Sequence, residues 1–347
     1  MNELINAEEN SRLKKHKRLA VVICFICLTS AIILKTPIRQ VAAMCVERVF
    51  IYIDEWTNTE IIESEMPQVK ELRLSVLNMK DLSNYVKVIK DQEALGKGEL
   101  ILVNGKHIYK EMSNKALHHK ELVSISKYKN NSYKLIDKSI LINGLTLQHF
   151  NAMMKAFEKN TGKHDVVVTS GYRTLSEQID ILKEKADSYG KKEALDWAML
   201  PGFSEHHTGY ALDISIYTDQ GNYIRYRGQD EYRWINENSY KYGLIRRYSG
   251  EKKDITGIAN EEWHYRYVGV PHSYIITAKE LCLEEYMDYL KQYTVDTKHL
   301  KVKCPQGKYE IYFVPSTGDQ TEVWVPRGKE YSISGNNVDG FIVTIKK

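Results

Sequence analysis

The sequence has 347 residues, of which 43% are hydrophobic, and a formal net charge of +4. A chain of this size can bury a full core and has room for more than one module. The charge is small for this length, and basic patches interleaved with aromatic residues are missing, which argues against nucleic-acid binding.

The N-terminal region places basic residues before an apolar run. Residues 19–34 are uncharged and mostly apolar. As a helix they would span about 24 Å, short of a hydrocarbon core of roughly 30 Å, and Arg18 and Lys35 can snorkel to cover the deficit. The positive-inside rule then predicts a cytoplasmic tail (1–18), a transmembrane anchor (19–35) and an extracytoplasmic remainder. A cleaved signal peptide remains the alternative.

The five cysteines say little about redox chemistry. Cys24 and Cys27 lie in the apolar run, where burial as small apolar side chains is the default. Among Cys45, Cys282 and Cys304 at most one pair can form, and a bridge between the last two stays open. None of them is needed as a metal ligand.

Two regions precede the motifs. Residues 36–95 are charged and mixed in composition, and they predict an extracytoplasmic spacer with some helix. Residues 147–160 predict an amphipathic helix, with one apolar stripe that belongs to a core. That stripe consists of Phe150, Met153, Met154 and Phe157.

Arg173 lies at a predicted junction between a strand and a helix. Residues 166–168 indicate a buried strand, and Thr174 with Glu177 forms a capping-box pattern that opens a helix to about Tyr189. That helix has an apolar stripe formed by Leu175, Ile179, Leu182 and Ala186. The guanidinium is then free to reach a pocket, where it suits either a substrate carboxylate or a developing oxyanion. The sequence leaves both roles open.

A first cluster of chemically active residues reads SEHHTGYALD at 204–213. Residues 210–217 alternate with the period of a strand, so Asp213 points away from the apolar face. His206 lies in the loop before it. Gly209 lets that loop turn tightly enough for His206 and Asp213 to converge.

A second cluster reads EEWH at 261–264 and opens another predicted strand. With the first cluster it supplies two imidazoles, one ligand carboxylate and a spare carboxylate. Catalytic zinc takes three such ligands, and a further carboxylate must move the proton of the attacking water. The set predicts a mononuclear zinc hydrolase. Strict strand alternation would put Glu262, not Glu261, on the face of His264, so Glu261 requires an irregular turn.

The C-terminal part changes character. Residues 281–293 predict a closing helix, and short strands follow, separated by Gly, Pro, Ser and Asp. The predicted strands cover residues 308–314, 321–325, 331–334 and 340–345. They predict a small all-β module (295–347) that either binds cell wall or a partner, or packs on the domain before it.

Together these strings resemble the VanY-type zinc D-alanyl-D-alanine carboxypeptidases. The resemblance rests on SEHHTGYALD, on EEWHYRYVG from residue 261, on SGYRT at 170–174, on YGLIRRY at 242–248 and on ELILVN at 99–104. It covers about residues 99–293. It implies an α+β fold with a small central antiparallel sheet flanked by helices around a zinc cleft, in a catalytic domain at 96–294.

The resemblance also implies roles for individual residues. One zinc ion is bound by His206, Asp213 and His264. Glu261 is the general base and acid, and Arg173 is the cationic stabiliser. Ser204 and Gln178 match positions that hold the substrate.

At two positions the sequence departs from the family motifs, and each departure introduces an alternative candidate for a functional role. His207 replaces the usual Gln and offers a rival ligand, although a solvated or second-layer side chain is the simpler reading. Glu262 replaces the usual Pro and offers a rival base.

The implied activity is removal of the terminal D-alanine from peptidoglycan stem peptides outside the cell, which in this family can help bacteria withstand glycopeptide antibiotics. Alternatives are an L,D-carboxypeptidase or a D,D-dipeptidase on the same scaffold, and a non-catalytic, membrane-tethered wall-binding module. A serine enzyme would need three ordered motifs. The chain contains partial matches at Ser124 and Ser334 but no Lys-Ser/Thr-Gly string.

Overall fold

The computed structural model describes residues 59–62, 69, 72–79, 82–109 and 121–347. The predicted cytoplasmic tail, the predicted anchor and the cysteines Cys24, Cys27 and Cys45 lie outside these residues. Within them, no helix is both long enough and apolar enough to cross a membrane.

The chain divides into two compact units. The first comprises residues 1–62 and 75–78, and its described parts are strand β1 (Thr59–Ile62) and the end of strand β2 (Arg73–Asn78). The second comprises residues 63–74 and 79–347 and contains all the elements discussed below.

The second unit contains strands in both its N-terminal and C-terminal parts. They are β3 (Tyr85–Asp91), β4 (Leu122–Ser124), β5 (Lys134–Leu135), β6 (Leu141–Asn143), β7 (Val166–Ser170), β8 (Ala211–Tyr217), β9 (Tyr223–Arg225), β10 (Leu244–Tyr248), β11 (Glu261–Tyr267), β12 (Lys298–Cys304), β13 (Gly307–Pro315), β14 (Gln320–Pro326), β15 (Glu330–Gly335) and β16 (Gly340–Lys346). The α-helices are α1 (Ile125–Tyr128), α2 (Gly144–Thr161), α3 (Leu175–Tyr189), α4 (Arg233–Asn238), α5 (Lys253–Thr256), α6 (His272–Ala278) and α7 (Leu283–Leu290).

A sheet with the strand order β10-β11-β8-β7-β5 forms the centre of the catalytic part, and β9 pairs with β8. Its pairs are antiparallel except for β5 and β7, which run parallel. The predicted mixed fold with a central sheet is therefore confirmed, and the all-antiparallel description is wrong at this one pair.

Helix α2 covers the apolar face of this sheet. Asn143 caps its N-terminus by accepting hydrogen bonds from two backbone N–H groups, and Gly162 ends it in a left-handed conformation. The predicted stripe of Phe150, Met153, Met154 and Phe157 lies in one core cluster with the buried side chains of β7 and β8. This core holds β8 rigidly, so that the opposite face of the strand can present polar residues.

Helix α3 begins as predicted but packs differently. Thr174 and Glu177 form the capping box. The predicted apolar stripe is wrong, because Leu175 and Ile179 are 43% and 41% exposed, while Gln178 is fully buried. The helix is turned so that this amide lies inside, where it forms the hydrogen bonds described below.

The C-terminal strands form a sheet in which β12, β13, β16 and β15 are antiparallel neighbours. Strand β14 instead pairs along its whole length with β3. The prediction of a spacer with some helix is therefore wrong for residues 85–91. Its charged residues alternate with Val86, Val88 and other half-buried side chains packed on the C-terminal core, and the strand partner lies about 230 residues away in the sequence.

The C-terminal sheet packs on the catalytic part of the same unit. The Asn337 amide donates to the carbonyls of Leu102 and Ile108, and Ser334 accepts a hydrogen bond from the Leu100 N–H. The two cysteines considered for a bridge, Cys282 and Cys304, are both free and buried.

Candidate active site

The candidate site is built on a tight loop that enters β8. Residues Glu205–Thr208 form one 3-10 turn, and Gly209 ends it at φ 73°. The positive φ favours glycine at this position, and a Cβ there would also crowd the end of the Leu122 side chain at 2.7 Å and the Asn143 backbone nitrogen at 3.1 Å. The turn therefore sets His206 directly before Asp213 on the strand, as the sequence predicts.

Three predicted ligands meet above the polar face of the sheet. His264 on β11 is the direct pairing partner of Asp213 on β8. One potential ligand atom from each of His206, Asp213 and His264 lies within 4.8 Å of the others. Nε2 of His206 is 3.3 Å from Oδ2 of Asp213, and Nδ1 of His264 is 2.9 Å from Oδ1. Antiparallel pairing thus brings two ligands together that are 51 residues apart in sequence.

In His206 and His264, the ring nitrogen that does not face Asp213 also has a hydrogen-bond partner. Nδ1 of His206 lies 2.7 Å from the carbonyl oxygen of Gly171, and Nε2 of His264 lies 3.3 Å from Oε2 of Glu205. A proton on each of these nitrogens leaves the other nitrogen free to ligate, which is how protein zinc ligands are usually oriented. Two imidazoles and one carboxylate with this support fit the donor set of catalytic zinc.

Glu205 is a site residue that the sequence interpretation missed. Its side chain is wholly buried, and Oε1 accepts hydrogen bonds of 2.8 Å from Nε of Arg247 and from Nη1 of Arg266. Burial alone would raise the pKa of this carboxyl, but the two guanidinium charges outweigh it and hold the pKa well below its usual range. Glu205 is therefore a fixed anion behind His264.

The two arginines connect Glu205 to other elements. Arg247 forms a bidentate pair with Glu284 on α7, at 2.7 and 2.9 Å. Arg266 donates to the carbonyls of Glu99 and Ile101. Except for Glu284, all residues of this network belong to the sequence motifs that carry the family resemblance. No local periodicity, however, indicates that their charged side chains are buried together.

Arg173 reaches the pocket that contains the three candidate ligands, as the junction pattern predicts. Its guanidinium donates to Oε1 of Gln178 at 2.7 Å and to Oγ of Ser170 at 3.1 Å, and it lies 3.6 Å from Oδ2 of Asp213. The side chain is only 12% exposed. This position beside a ligand carboxylate suits stabilisation of a developing oxyanion.

The two predicted substrate residues differ in how they are used. The amide of Gln178 holds Arg173 through Oε1 and the Met199 carbonyl through Nε2. Ser204 begins the 3-10 turn, where its hydroxyl accepts from the His206 N–H and lines the pocket. Both residues line the pocket, and the Gln178 amide also holds Arg173 in place.

A β-bulge decides which carboxylate faces the site. Arg246 pairs with Tyr265, but Tyr248 pairs with Glu261, so β11 advances by four residues while β10 advances by two. The two extra residues on β11 form a β-bulge. This bulge is the irregular backbone that Glu261 needs in order to share a face with His264. Glu261 lines the same pocket as His264.

The neighbouring Glu262 is directed away from the pocket. It accepts hydrogen bonds from Arg246, Asn236 and Asn260. By contrast, burial raises the pKa of the Glu261 carboxyl to about 7, partly offset by the positive charge at His264. A carboxylate with a pKa in this range suits proton transfer near neutral pH.

The reading of His207 as a solvated side chain is wrong. His207 is 1% exposed, its Nε2 accepts from the Gly202 N–H, and its Nδ1 lies 2.7 Å from the Arg173 carbonyl. It therefore braces the backbone that carries Arg173. Both of its ring nitrogens have protein partners other than the ligand cluster.

The three candidate ligands line one pocket of about 410 Å³ together with Arg173, Gln178, Ser204, Glu205 and Glu261. Its outer wall contains residues that the sequence did not single out, on α3, on β9, on β11 and on the loop between α3 and β8. They include Tyr189, Trp197, Tyr223, Arg225 and Trp263. Neither Ser124 nor Ser334 belongs to the lining, which leaves the serine alternative without a site there.

Comparison with known proteins identifies the family. A family model described as D-alanyl-D-alanine carboxypeptidase, VanY, matches residues 140–270. A D-alanyl-D-alanine carboxypeptidase of Enterococcus faecium is 37% identical over 256 residues, which cover 73% of this chain and 77% of the relative. The chain belongs to the VanY family of D-alanyl-D-alanine carboxypeptidases. It is thus a member of a peptidase family.

The chain is also similar to two proteins with dipeptidase activity. The crystal structure of the vancomycin resistance D,D-dipeptidase VanXYg, in complex with a D-Ala-D-Ala phosphinate analogue, matches with a TM-score of 0.66 and 30% identity over 76% of this chain and 99% of that one. The bifunctional D-Ala-D-Ala dipeptidase and carboxypeptidase VanXYC of Enterococcus gallinarum is 39% identical over 135 residues, or 37% of this chain and 69% of the relative.

Proposed function

We propose that the protein is a zinc-dependent D,D-carboxypeptidase that hydrolyses the terminal D-Ala-D-Ala bond of peptidoglycan stem peptides. The observation that carries the proposal is that Glu261 and Arg173 line the same pocket as the His206, Asp213 and His264 cluster. A protein that only binds wall peptides has no need of a proton acceptor and an oxyanion-stabilising cation at the same place.

Each group of residues in the pocket has a separate role in the proposed reaction. A zinc ion held by the three ligands would supply a Lewis acid and lower the pKa of a bound water to about 7. Glu261 accepts the proton of the attacking water and returns it to the departing D-alanine nitrogen. Arg173, fixed by Gln178 and Ser170, donates to the carbonyl oxygen as negative charge develops there.

The active-site pocket supports a carboxypeptidase over a dipeptidase. Gln178 and Ser204 are buried, whereas Tyr223 and Ile224 in the outer wall are 48% and 50% exposed. A chain that enters with its C-terminal residue can continue past the exposed wall into solvent. D,D-dipeptidase activity is the second candidate, favoured by the match to VanXYg over nearly all of that protein.

One assay separates these activities. Release of D-alanine is measured from Lys-D-Ala-D-Ala, from the dipeptide D-Ala-D-Ala and from a peptide ending in L-Lys-D-Ala, using residues 60–347, with and without a chelator. We expect chelator-sensitive, penicillin-insensitive release from the first peptide and little from the others. Release from only the dipeptide would indicate a D,D-dipeptidase, and release from only the L,D peptide would indicate an L,D-carboxypeptidase. No release despite one bound zinc would favour a non-catalytic wall-binding protein.

We also propose that the catalytic part faces the outside of the cell, tethered by residues 19–35. The support is the basic segment before the apolar run, which predicts this orientation. Removal of the terminal D-alanine would also remove the peptide terminus that glycopeptide antibiotics bind. Protease added to intact cells is expected to degrade the catalytic part, and a protein that stays protected or appears in the medium would contradict the tethered topology.

A further inference from the structure

Arg225 is placed in the outer wall of the pocket by strand register. Strand β9 pairs with β8 so that Arg225 lies opposite Ser215, two residues beyond the ligand Asp213. Side chains directly opposite each other in an antiparallel pair lie on the same face of the sheet. Asp213, Ser215 and Arg225 accordingly all line the pocket.

Two tryptophans hold the guanidinium of Arg225. Its central carbon lies 4.5 Å from the ring centroid of Trp263 and 6.0 Å from that of Trp197. Trp263 directly precedes the ligand His264, so the indole links the guanidinium to the rigid strand of the metal site. Cation–π contacts of this kind orient an arginine but occupy the ring face rather than its in-plane N–H donors.

The donors of Arg225 remain available within the described part of the chain, where no side-chain hydrogen bond or ion pair of this residue is found. The other two cations of the pocket lining differ. Arg173 is bound to Gln178 and Ser170, and Lys185 lies 3.8 Å from Glu184. Arg225 is thus an oriented cation that forms no direct ion pair among the described residues, although its charge acts on the nearby Glu261 carboxylate and lowers the pKa of that group.

The position of Arg225 also indicates which part of a substrate it meets. Gln178 and Ser204 are buried, whereas Arg225 follows the exposed Tyr223 and Ile224. A carboxypeptidase places the C-terminal residue of its substrate in the closed part, and the preceding residues leave through the open part. The oriented guanidinium therefore lies beside the portion of the peptide on the N-terminal side of the scissile bond.

We propose that Arg225 is a specificity-determining residue that binds a carboxylate of the peptide substrate on the N-terminal side of the scissile bond. This role rests on the proposed carboxypeptidase function, which by itself does not require an acidic group in the substrate. The ligand is a peptide with an acidic group upstream of its D-Ala-D-Ala terminus. The planar donors of arginine suit such a carboxylate in bidentate geometry.

Two peptides that differ by one group test this role. Both end in Lys-D-Ala-D-Ala, preceded by a γ-linked glutamate that carries either a free α-carboxylate or the corresponding amide. For the wild type we expect kcat/KM to be about tenfold higher for the acid, mostly through KM, which corresponds to one charge-assisted contact. Arg225→Gln is expected to abolish the preference, and Arg225→Lys to retain part of it.

Arg227→Gln is the matched control, because this exposed arginine lies two residues further along and outside the pocket lining. It is expected to keep the wild-type preference. Equal kcat/KM for the two peptides in the wild type, or a preference that survives Arg225→Gln, would overturn the role of Arg225. Failure of both peptides to release D-alanine would instead overturn the proposed function. Calorimetric titration of both peptides then still tests Arg225 through their relative Kd.

Discussion

Glu205 lies directly behind His264, with 3.3 Å between Oε2 of the carboxylate and Nε2 of the imidazole. Arg247 and Arg266 hold the same carboxylate from the other side. Removal of one member of a buried ion network leaves uncompensated charge that costs about 3 to 5 kcal/mol. Loss of a partner behind a metal ligand typically weakens metal binding by about 10- to 100-fold.

We therefore expect Glu205→Gln to lower both the free energy of unfolding of the metal-free protein and its zinc affinity, measured by denaturant titration and by competition with a chromophoric chelator. Glu284→Gln is the control, because Glu284 shares Arg247 but does not touch His264. It should lower stability with a much smaller effect on zinc. Equal zinc affinities in the two variants would show that Glu205 is structural only.

The choice between adjacent carboxylates gives a second prediction. Glu261→Gln is expected to reduce kcat by about 10²- to 10⁴-fold, as for loss of a general base, while zinc remains bound. Glu262→Gln is the matched control, since Glu262 binds Arg246 and Asn236 outside the pocket. D-alanine release and zinc content are measured for both. A larger loss in Glu262→Gln would show that the bulge is not maintained in the active enzyme.

Zinc binding is expected to depend on pH through His264. Burial acts to lower the pKa of this imidazole, but hydrogen bonds to Asp213 and Glu205 outweigh it and raise the pKa to about 9. In the metal-free protein this protonation contributes stability below the unfolded pKa of about 6.5, and the contribution is lost as pH rises through 9. Zinc requires the neutral ring.

The apparent zinc affinity should therefore rise by about tenfold per pH unit between pH 7 and 9, with release of one proton from His264. Titration calorimetry in two buffers of different ionisation enthalpy counts these protons. The Glu261→Gln variant serves as the background, because it removes the other group that titrates near neutrality. Affinity that does not change with pH would contradict the raised pKa.

Glu310 in the C-terminal sheet gives a prediction that is independent of the metal. Burial would raise its pKa, but the hydrogen bond with His299 and the charge of Lys347 outweigh it and lower the pKa to about 2. The depressed pKa stabilises the fold above the unfolded pKa, and this contribution, on the order of 3 kcal/mol, is lost as pH falls through about 4.5 toward 2.

Thermal unfolding of the wild type and of Glu310→Gln should thus differ most near pH 7 and converge near pH 2. Glu322→Gln is the control, since the pair between Glu322 and Lys87 is about half exposed and contributes little. A constant difference in Tm across this pH range would contradict the prediction.

The sequence predicted how His206 and Asp213 converge because their spacing and the strand period are local, whereas the third ligand, His264, joins them through the pairing of β11 with β8. The placement of His206 before Asp213, the core stripe of α2 and the capping box of Thr174 all follow from patterns within about ten residues. The bulge that turns Glu261 toward the pocket was anticipated only as a requirement, because it depends on the register between β10 and β11.

Long-range pairing explains what the sequence could not reveal. Glu205 reaches Arg247 and Arg266 across 42 and 61 residues. Local patterns do not reveal strand β3, because its partner β14 is remote in the sequence and its charged residues are interspersed with apolar ones on a half-exposed surface. The predicted apolar stripe of α3 faces solvent because the helix buries Gln178 instead. Burial of this polar side chain is favourable only because Arg173 and the Met199 carbonyl satisfy its amide.

The pairing of β3 with β14 sets a practical limit on shortening this protein. A fragment that begins at residue 96, the start of the predicted catalytic domain, would leave the seven residues of β14 without their partner strand β3. Exposed edges of this kind promote association between chains. Removal of the C-terminal strands would equally leave the carbonyls of Leu102 and Ile108 without the Asn337 amide. A fragment that keeps both of these contacts therefore contains β3 as well as the C-terminal strands.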